Sequence, residues 1–187
     1  IQKLPVLLEV VHQVIASGSL IRFVLTGSSA RKLRRGNVNL LGGRASQVSM
    51  HPYLAIEMGD SFSLASALET GLVPIVVESA SPKETLRAYT SLYIKEEVFA
   101  EGLVRNTEHF YRFLEAISFS HGEVLTISNV ASECGVSRKT VENYIQIMED
   151  LMLAHRVPVF TRHAKRELVG HPKFYFFDTG VFRSLRP

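Results

Sequence analysis

Three groups of residues in this chain have types and spacing that could do chemistry. Thr26-Gly27-Ser28-Ser29 follows an apolar run, and small hydroxyl residues at such a point can hold a ligand's polar oxygens or cap a helix. Arg138, Lys139 and Asn143 lie within two turns of one another on a candidate helix. Cations there could take phosphate or guanine, and the amide could take adenine. Arg162, Lys165 and Arg166 form a basic segment further on, suited to phosphate. The seven histidines, His12, His51, His109, His121, His155, His163 and His171, have no ligand-spaced Cys, Asp or second His on one helical face, so no metal site is expected. No nucleophilic Ser–His–Asp arrangement can be argued. Cys134, the only cysteine, reads as core packing on the inward face of a helix, and one cysteine excludes an intrachain disulfide.

The elements that must position these groups follow from periodicity. Residues 126–153 read TISNVASECGVSRKTVENYIQIMEDLML. A short helix capped by Ser128 carries Val130, Ala131 and Cys134 inward, and Gly135 is free to turn the chain with positive φ. Ser137 then caps a longer helix whose apolar residues Val141, Tyr144, Ile145, Met148, Leu151 and Met152 recur at three and four. That is a helix-turn-helix, and VPVF (157–160) with KFYFF (173–177) could supply its wing.

At the start of the chain, Pro5 and the stripe Leu7, Leu8, Val11, Val14 and Ile15 predict a helix that Gly18 ends. Leu20 to Leu25 is too short for a helix and predicts a buried, parallel strand. Ligands in open α/β sheets sit beyond the carboxyl ends of strands, which places Thr26 to Ser29 at the site. ASQVSMHP (45–52) alternates enough for another strand, and a short helix surrounds Leu64 to Glu69. Ser81-Pro82-Lys83-Glu84 is a helix start, and Asn106 or Thr107 caps a further helix packed by Phe110, Phe113, Leu114 and Ile117. The expected fold class is therefore α/β followed by α+β, with a boundary near residue 80.

Composition sets the bounds. The chain has 187 residues, 46% hydrophobic and 21% charged, in keeping with a globular protein of one or two domains. No apolar run reaches transmembrane length and no signal peptide is evident, so a cytoplasmic protein with no membrane partner is expected. The net charge of +3 conceals a pattern. Residues 1–44 carry seven Lys/Arg against one acid, residues 45–152 seven against fifteen, and residues 153–187 seven against two. The helix-turn-helix lies in the acidic middle, which weakens a simple DNA-binding argument because phosphate attraction dominates such affinity.

With IQKLPVLL (1–8), LTGSSARKL (25–33), LGGR (41–44), EGLVR (101–105), VSRKTVENYIQIMEDLML, FTRHAKRE and KFYFFDTGVFR in one collinear order, the chain resembles an AAA-type ATPase. The likeness is to a bacterial and archaeal group in which an AAA core precedes a winged-helix domain and a C-terminal domain of unknown function. The resemblance implies that residues 1–80 are the C-terminal half of a parallel-sheet AAA core, and 81–187 a helical lid and winged helix-turn-helix. No phosphate-cradling GxxxxGK followed by Ser or Thr occurs, so the resemblance implies a fragment that does not hydrolyse ATP alone. ATP and Mg²⁺ would belong to the full-length protein, with Thr26, Gly27 and Ser28 on the nucleotide side and none bound tightly by the fragment.

By likeness, Ser28 stands where these ATPases place the γ-phosphate sensor, with Thr26 as the fallback; the plainer reading is that Ser28 caps the next helix. Arg44 stands where they place an arginine finger supplied in trans, which implies a homo-oligomer through the Arg44 surface; the plainer reading is an Arg near a helix C-terminus. Arg31, Lys32, Arg34 and Arg35 read as a solvated or subunit-facing surface. The rival expectation is a winged-helix adaptor for DNA or protein, without ATPase activity. On its second helix Arg138, Lys139 and Asn143 would read a groove, Glu142 would stand on the reading face, and Glu149 with Asp150 would repel phosphate.

Overall fold

The structure, a computed structural model, describes residues 6–26, 46, 48–93, 96, 98, 104, 106–160 and 171–186. The chain divides into two compact units, Ile1–Met50 and His51–Pro187. Residues 51–80, assigned on sequence to an α/β piece, thus belong to the same compact unit as everything that follows.

In the first unit the described helix is α1, Leu7–Ala16, closed by Ser17 and by Gly18 at φ +75°. Leu8 and Val11 are its buried residues. The strand expected over Leu20–Leu25 is not formed: none of these residues is in a strand, and Leu20 and Val24 are 98% and 94% exposed. Residues 46 and 48–52 form no strand either. An apolar, β-branched run fits a strand only if a neighbouring backbone takes its N–H and C=O groups and a second layer covers its side chains. Among the described residues neither is present.

The second unit is built from short helices and one small sheet. Its elements are α2 (Ala55–Met58), α3 (Leu64–Thr70), α4 (Pro74–Val77), α5 (Pro82–Ala88, continued by a π-helical turn Tyr89–Tyr93), α6 (Thr107–Ser118), α7 (Ile127–Cys134), α8 (Arg138–Asp150), β1 (Ala154–Val157), β2 (Lys173–Phe176) and α9 (Thr179–Ser184). The expected parallel-sheet AAA core is therefore corrected: the described residues are mostly helical, and their one sheet is two-stranded and antiparallel.

Local chemistry explains most boundaries. Asn106 caps α6 by accepting from the His109 N–H at 3.0 Å, and Ser137 caps α8 by accepting from the Thr140 N–H at 3.1 Å. Helix α7 starts two residues earlier than Ser128 would set it, with Thr126 at the cap and no side-chain cap bond. Gly135 ends it in the left-handed region at φ +66°, where the Val136 N–H returns to the Ala131 carbonyl at 3.1 Å. Pro82 occupies the first turn of α5. Strand β1 is AHRV, not VPVF: it stops before Pro158, which has no N–H to give the ladder.

The core lies where α6, α7, α8 and the sheet meet. Phe110 and Phe113 of α6 are fully buried, and Tyr144 of α8 stands edge-on to Phe110 at 5.2 Å and 88°. Val130 and Cys134 of α7, Val141, Ile145 and Met148 of α8, and Phe174 and Phe176 of β2 complete it. The sheet pairs Ala154 with Phe176 and Val157 with Lys173, and two isolated bridges add Val124 beside Lys173 and His121 beside Phe174. Helix α9 packs against α3 and α5, and touches β2.

Candidate nucleic-acid interface

Helix α8 is amphipathic because its apolar residues recur at three and four. Val141, Tyr144, Ile145, Ile147 and Met148 are buried, which turns Arg138, Lys139, Glu142, Asn143 and Gln146 outward. The Ser137 cap fixes where the helix begins, so Arg138 and Lys139 fall in its first turn, at the positive end of the helix dipole. Arg138, Lys139 and Asn143 are all exposed and share the N-terminal half of one helix.

The far end of α8 is not the row of free acids expected from the sequence. Arg156 of β1 donates from Nε to Glu149 Oε1 at 2.9 Å, and a second guanidinium nitrogen bonds the other carboxylate oxygen. The Arg156 backbone N–H also reaches Oε1, at 3.1 Å. That N–H belongs to the outer edge of β1, so the carboxylate both neutralises a cation and covers a sheet edge. The pair is partly buried, and the hydrogen bond that Arg156 donates to Glu149 raises the Arg156 pKa above its ordinary value. Glu149 therefore does not stand free to repel phosphate. Asp150 accepts from Gln146 Nε2 at 3.1 Å. Arg156 escaped sequence reasoning because its pairing depends on how the hairpin folds back on α8.

The remaining expected residues are placed as follows. Thr26 is exposed on a stretch that forms no strand. Gly27, Ser28 and Arg44, and the cluster Arg31, Lys32, Arg34 and Arg35, lie outside the described residues. So do Arg162, Lys165 and Arg166, which in sequence fall between β1 and β2. Among the described residues, the candidate set thus comprises Thr26 and the group Arg138, Lys139 and Asn143, which share one helix. Cys134 is buried, and burial raises its thiol pKa, which suits packing and not nucleophilic chemistry. No group of three or more His, Cys, Asp or Glu among the described residues could hold a metal ion, and no described helix is long and apolar enough to cross a membrane.

A groove of about 570 Å³ runs between α3 and α5, lined by hydroxyls and by Glu69, Lys83 and Glu84. Its polar groups are mostly committed to the fold. Ser63 Oγ caps α3 through the Ser66 N–H, Ser61 donates to the Met58 carbonyl, and Lys83 Nζ meets Glu69 Oε1 at 2.6 Å. Beside it, Asp178 is buried and accepts from the Leu72 N–H at 2.7 Å and the Val181 N–H at 3.0 Å. Burial raises its pKa while these backbone donors lower it. Gly71, at φ +77°, lies so close that a Cβ there would stand 2.0 Å from Asp178 Oδ1. This is a joint that holds α9 to α3, and the order Asp178-Thr179-Gly180 is the cap signal that marks it in sequence.

Neither a curated protein nor a solved structure matches this chain. Residues 61–187 match the family model described as a domain of unknown function (DUF8612), and the chain belongs to that family.

Proposed function

We propose that the second unit is a winged-helix adaptor that docks on duplex DNA through the N-terminal half of α8. The observation that carries this reading is the exposed trio Arg138, Lys139 and Asn143 on a helix whose distal acid, Glu149, is bound by Arg156. In this reading α7 crosses the phosphate backbone and α8 enters the major groove, with Arg138 or Lys139 on phosphate or guanine and Asn143 on adenine. The segment carrying Arg162, Lys165 and Arg166 follows β1 in the chain and adds phosphate contacts. Glu142 remains on the reading face and disfavours phosphate beside it. The adaptor works in the cytoplasm, in keeping with a lone, buried thiol.

The ATPase expectation rests on Thr26, Gly27, Ser28 and Arg44, of which Thr26 alone is among the described residues. The test of the adaptor reading is a titration of labelled duplex DNA at low salt. Binding that weakens as salt rises supports it; the absence of binding at 50 mM salt, or binding indifferent to salt, sinks it.

A further inference from the structure

The C-terminal helix α9 is held at two ends by different chemistry. At its start Asp178 grips the Leu72 and Val181 N–H groups, Thr179 Oγ1 donates to the Ala67 carbonyl, and Arg183 Nη1 reaches the Leu68 carbonyl at 3.1 Å. At its far side the attachment is a cluster around His121, just after α6. The His121 ring lies stacked on Phe182 with centroids 3.9 Å apart and an interplanar angle of 10°. His121 Nδ1 accepts the Phe176 backbone N–H at 3.1 Å, tying the same ring to β2. Arg186 packs its guanidinium 5.0 Å from the Phe182 and Phe119 ring centroids and donates from Nη2 to the Ser118 carbonyl at 2.9 Å.

We propose that His121 is the proton-released pin of a clasp that holds the C-terminal side of α9 to the end of α6 and to β2. Its geometry works only for a neutral ring. A neutral imidazole offers Nδ1 as an acceptor, whereas both nitrogens of the protonated ring are donors, so protonation removes the bond to Phe176. It also sets a second cation beside Arg186, which shares the Phe182 ring with it. The titratable and charged groups around the ring are Arg186 after α9, His155 of β1 and Tyr175 of β2, with Glu123 two residues on in the same turn. Burial, then Arg186 and His155, lower the His121 pKa.

The sign follows from linkage. The clasped state binds the proton less well than the released one, so clasping is favoured above the ordinary histidine pKa of about 6.5 and weakens as pH falls below it. The Asp178 joint responds oppositely. Its carboxyl pKa is raised, so the charged form costs stability, a cost relieved on acidification. Acid therefore loosens α9 at the Phe182 side while the Asp178 side keeps its hold, and the helix pivots on its start.

Hydrogen exchange on the full chain between pH 7.5 and 5.5 tests this, with protection at residues 181–186 read against that of α8 after correction for intrinsic rates. Protection at 181–186 should fall as pH drops below about 6.5, by at most about tenfold per pH unit, while α8 keeps its own. His121→Asn retains an acceptor oxygen but cannot titrate, and should make 181–186 insensitive to pH. Nuclear magnetic resonance of His121 in the unmodified chain should show a midpoint below 6.5, and the loss of protection that begins near 6.5 should level off as pH falls through that midpoint. Unchanged protection in the unmodified chain, the same loss in His121→Asn, or a His121 midpoint at or above 6.5 each overturns the clasp. Should His121→Asn fail to fold, the resonance titration of the unmodified chain decides alone.

Discussion

Raising the salt concentration around a complex with duplex DNA should weaken it by an amount that counts the cations α8 presents. In the described face those are Arg138 and Lys139; Arg156 is excluded because its guanidinium is committed to Glu149. Two phosphate contacts give a slope of log K against log salt of about −1.8, so affinity falls about 12-fold between 50 and 200 mM. If Arg162, Lys165 and Arg166 each add a contact, the slope steepens to about −4.5 and the fall to about 500-fold over the same range. Fluorescence anisotropy of a labelled duplex across that range reads the slope directly. Replacing Arg138 and Lys139 together by Gln should make it shallower by about 2 units, and replacing Arg162, Lys165 and Arg166 by about 3. A slope that ignores the α8 double substitution would refute the placement of DNA on that helix, whatever the affinity.

Glu149→Gln should show the two roles of that carboxylate at once. Stability should fall by about 1–2 kcal/mol in urea denaturation, since a partly buried guanidinium loses its charged partner. The released Arg156 should steepen the salt slope by about 0.9. Gly71→Ala should cost about 2–4 kcal/mol, because its Cβ would meet Asp178 and its φ of +77° suits glycine. A cost under about 0.5 kcal/mol in the same assay would show that the α3–α9 joint gives way easily. Met152, after α8, is the non-glycine residue in the left-handed region among the described residues, at φ +58°, and its side chain is 40% exposed. Met152→Gly should therefore raise the thermal midpoint, by about 1 kcal/mol of relieved strain; a lowered midpoint would mean that its packing outweighs the strain.

Features set by neighbouring residues were legible in the sequence. The caps at Asn106 and Ser137, the turn at Gly135, and the inward stripe of α8 follow from side chains that meet the backbone within four positions. The outward placement of Arg138, Lys139 and Asn143 came with that stripe. Strands were read poorly for the opposite reason. Leu20–Leu25 has a strand's composition and forms none, while AHRV has little strand pattern and pairs with KFYF across fifteen intervening residues. A strand is decided by its partner, and the partner is remote in sequence.

By itself the sequence determined where α5, α6 and α8 start, where α7 ends and which face of α8 meets solvent, because those outcomes depend on local hydrogen bonds and on a period of 3.6 residues. Only the tertiary structure decided what three distant side chains do. Arg156 neutralises Glu149 because the hairpin returns to α8. Asp178 grips Leu72 across 106 positions of chain. His121 meets Phe176 and Phe182 because α9 comes back to the end of α6. Each of these depends on bringing remote groups within about 3–4 Å of one another, a distance set by the packed core and by no local pattern of residues.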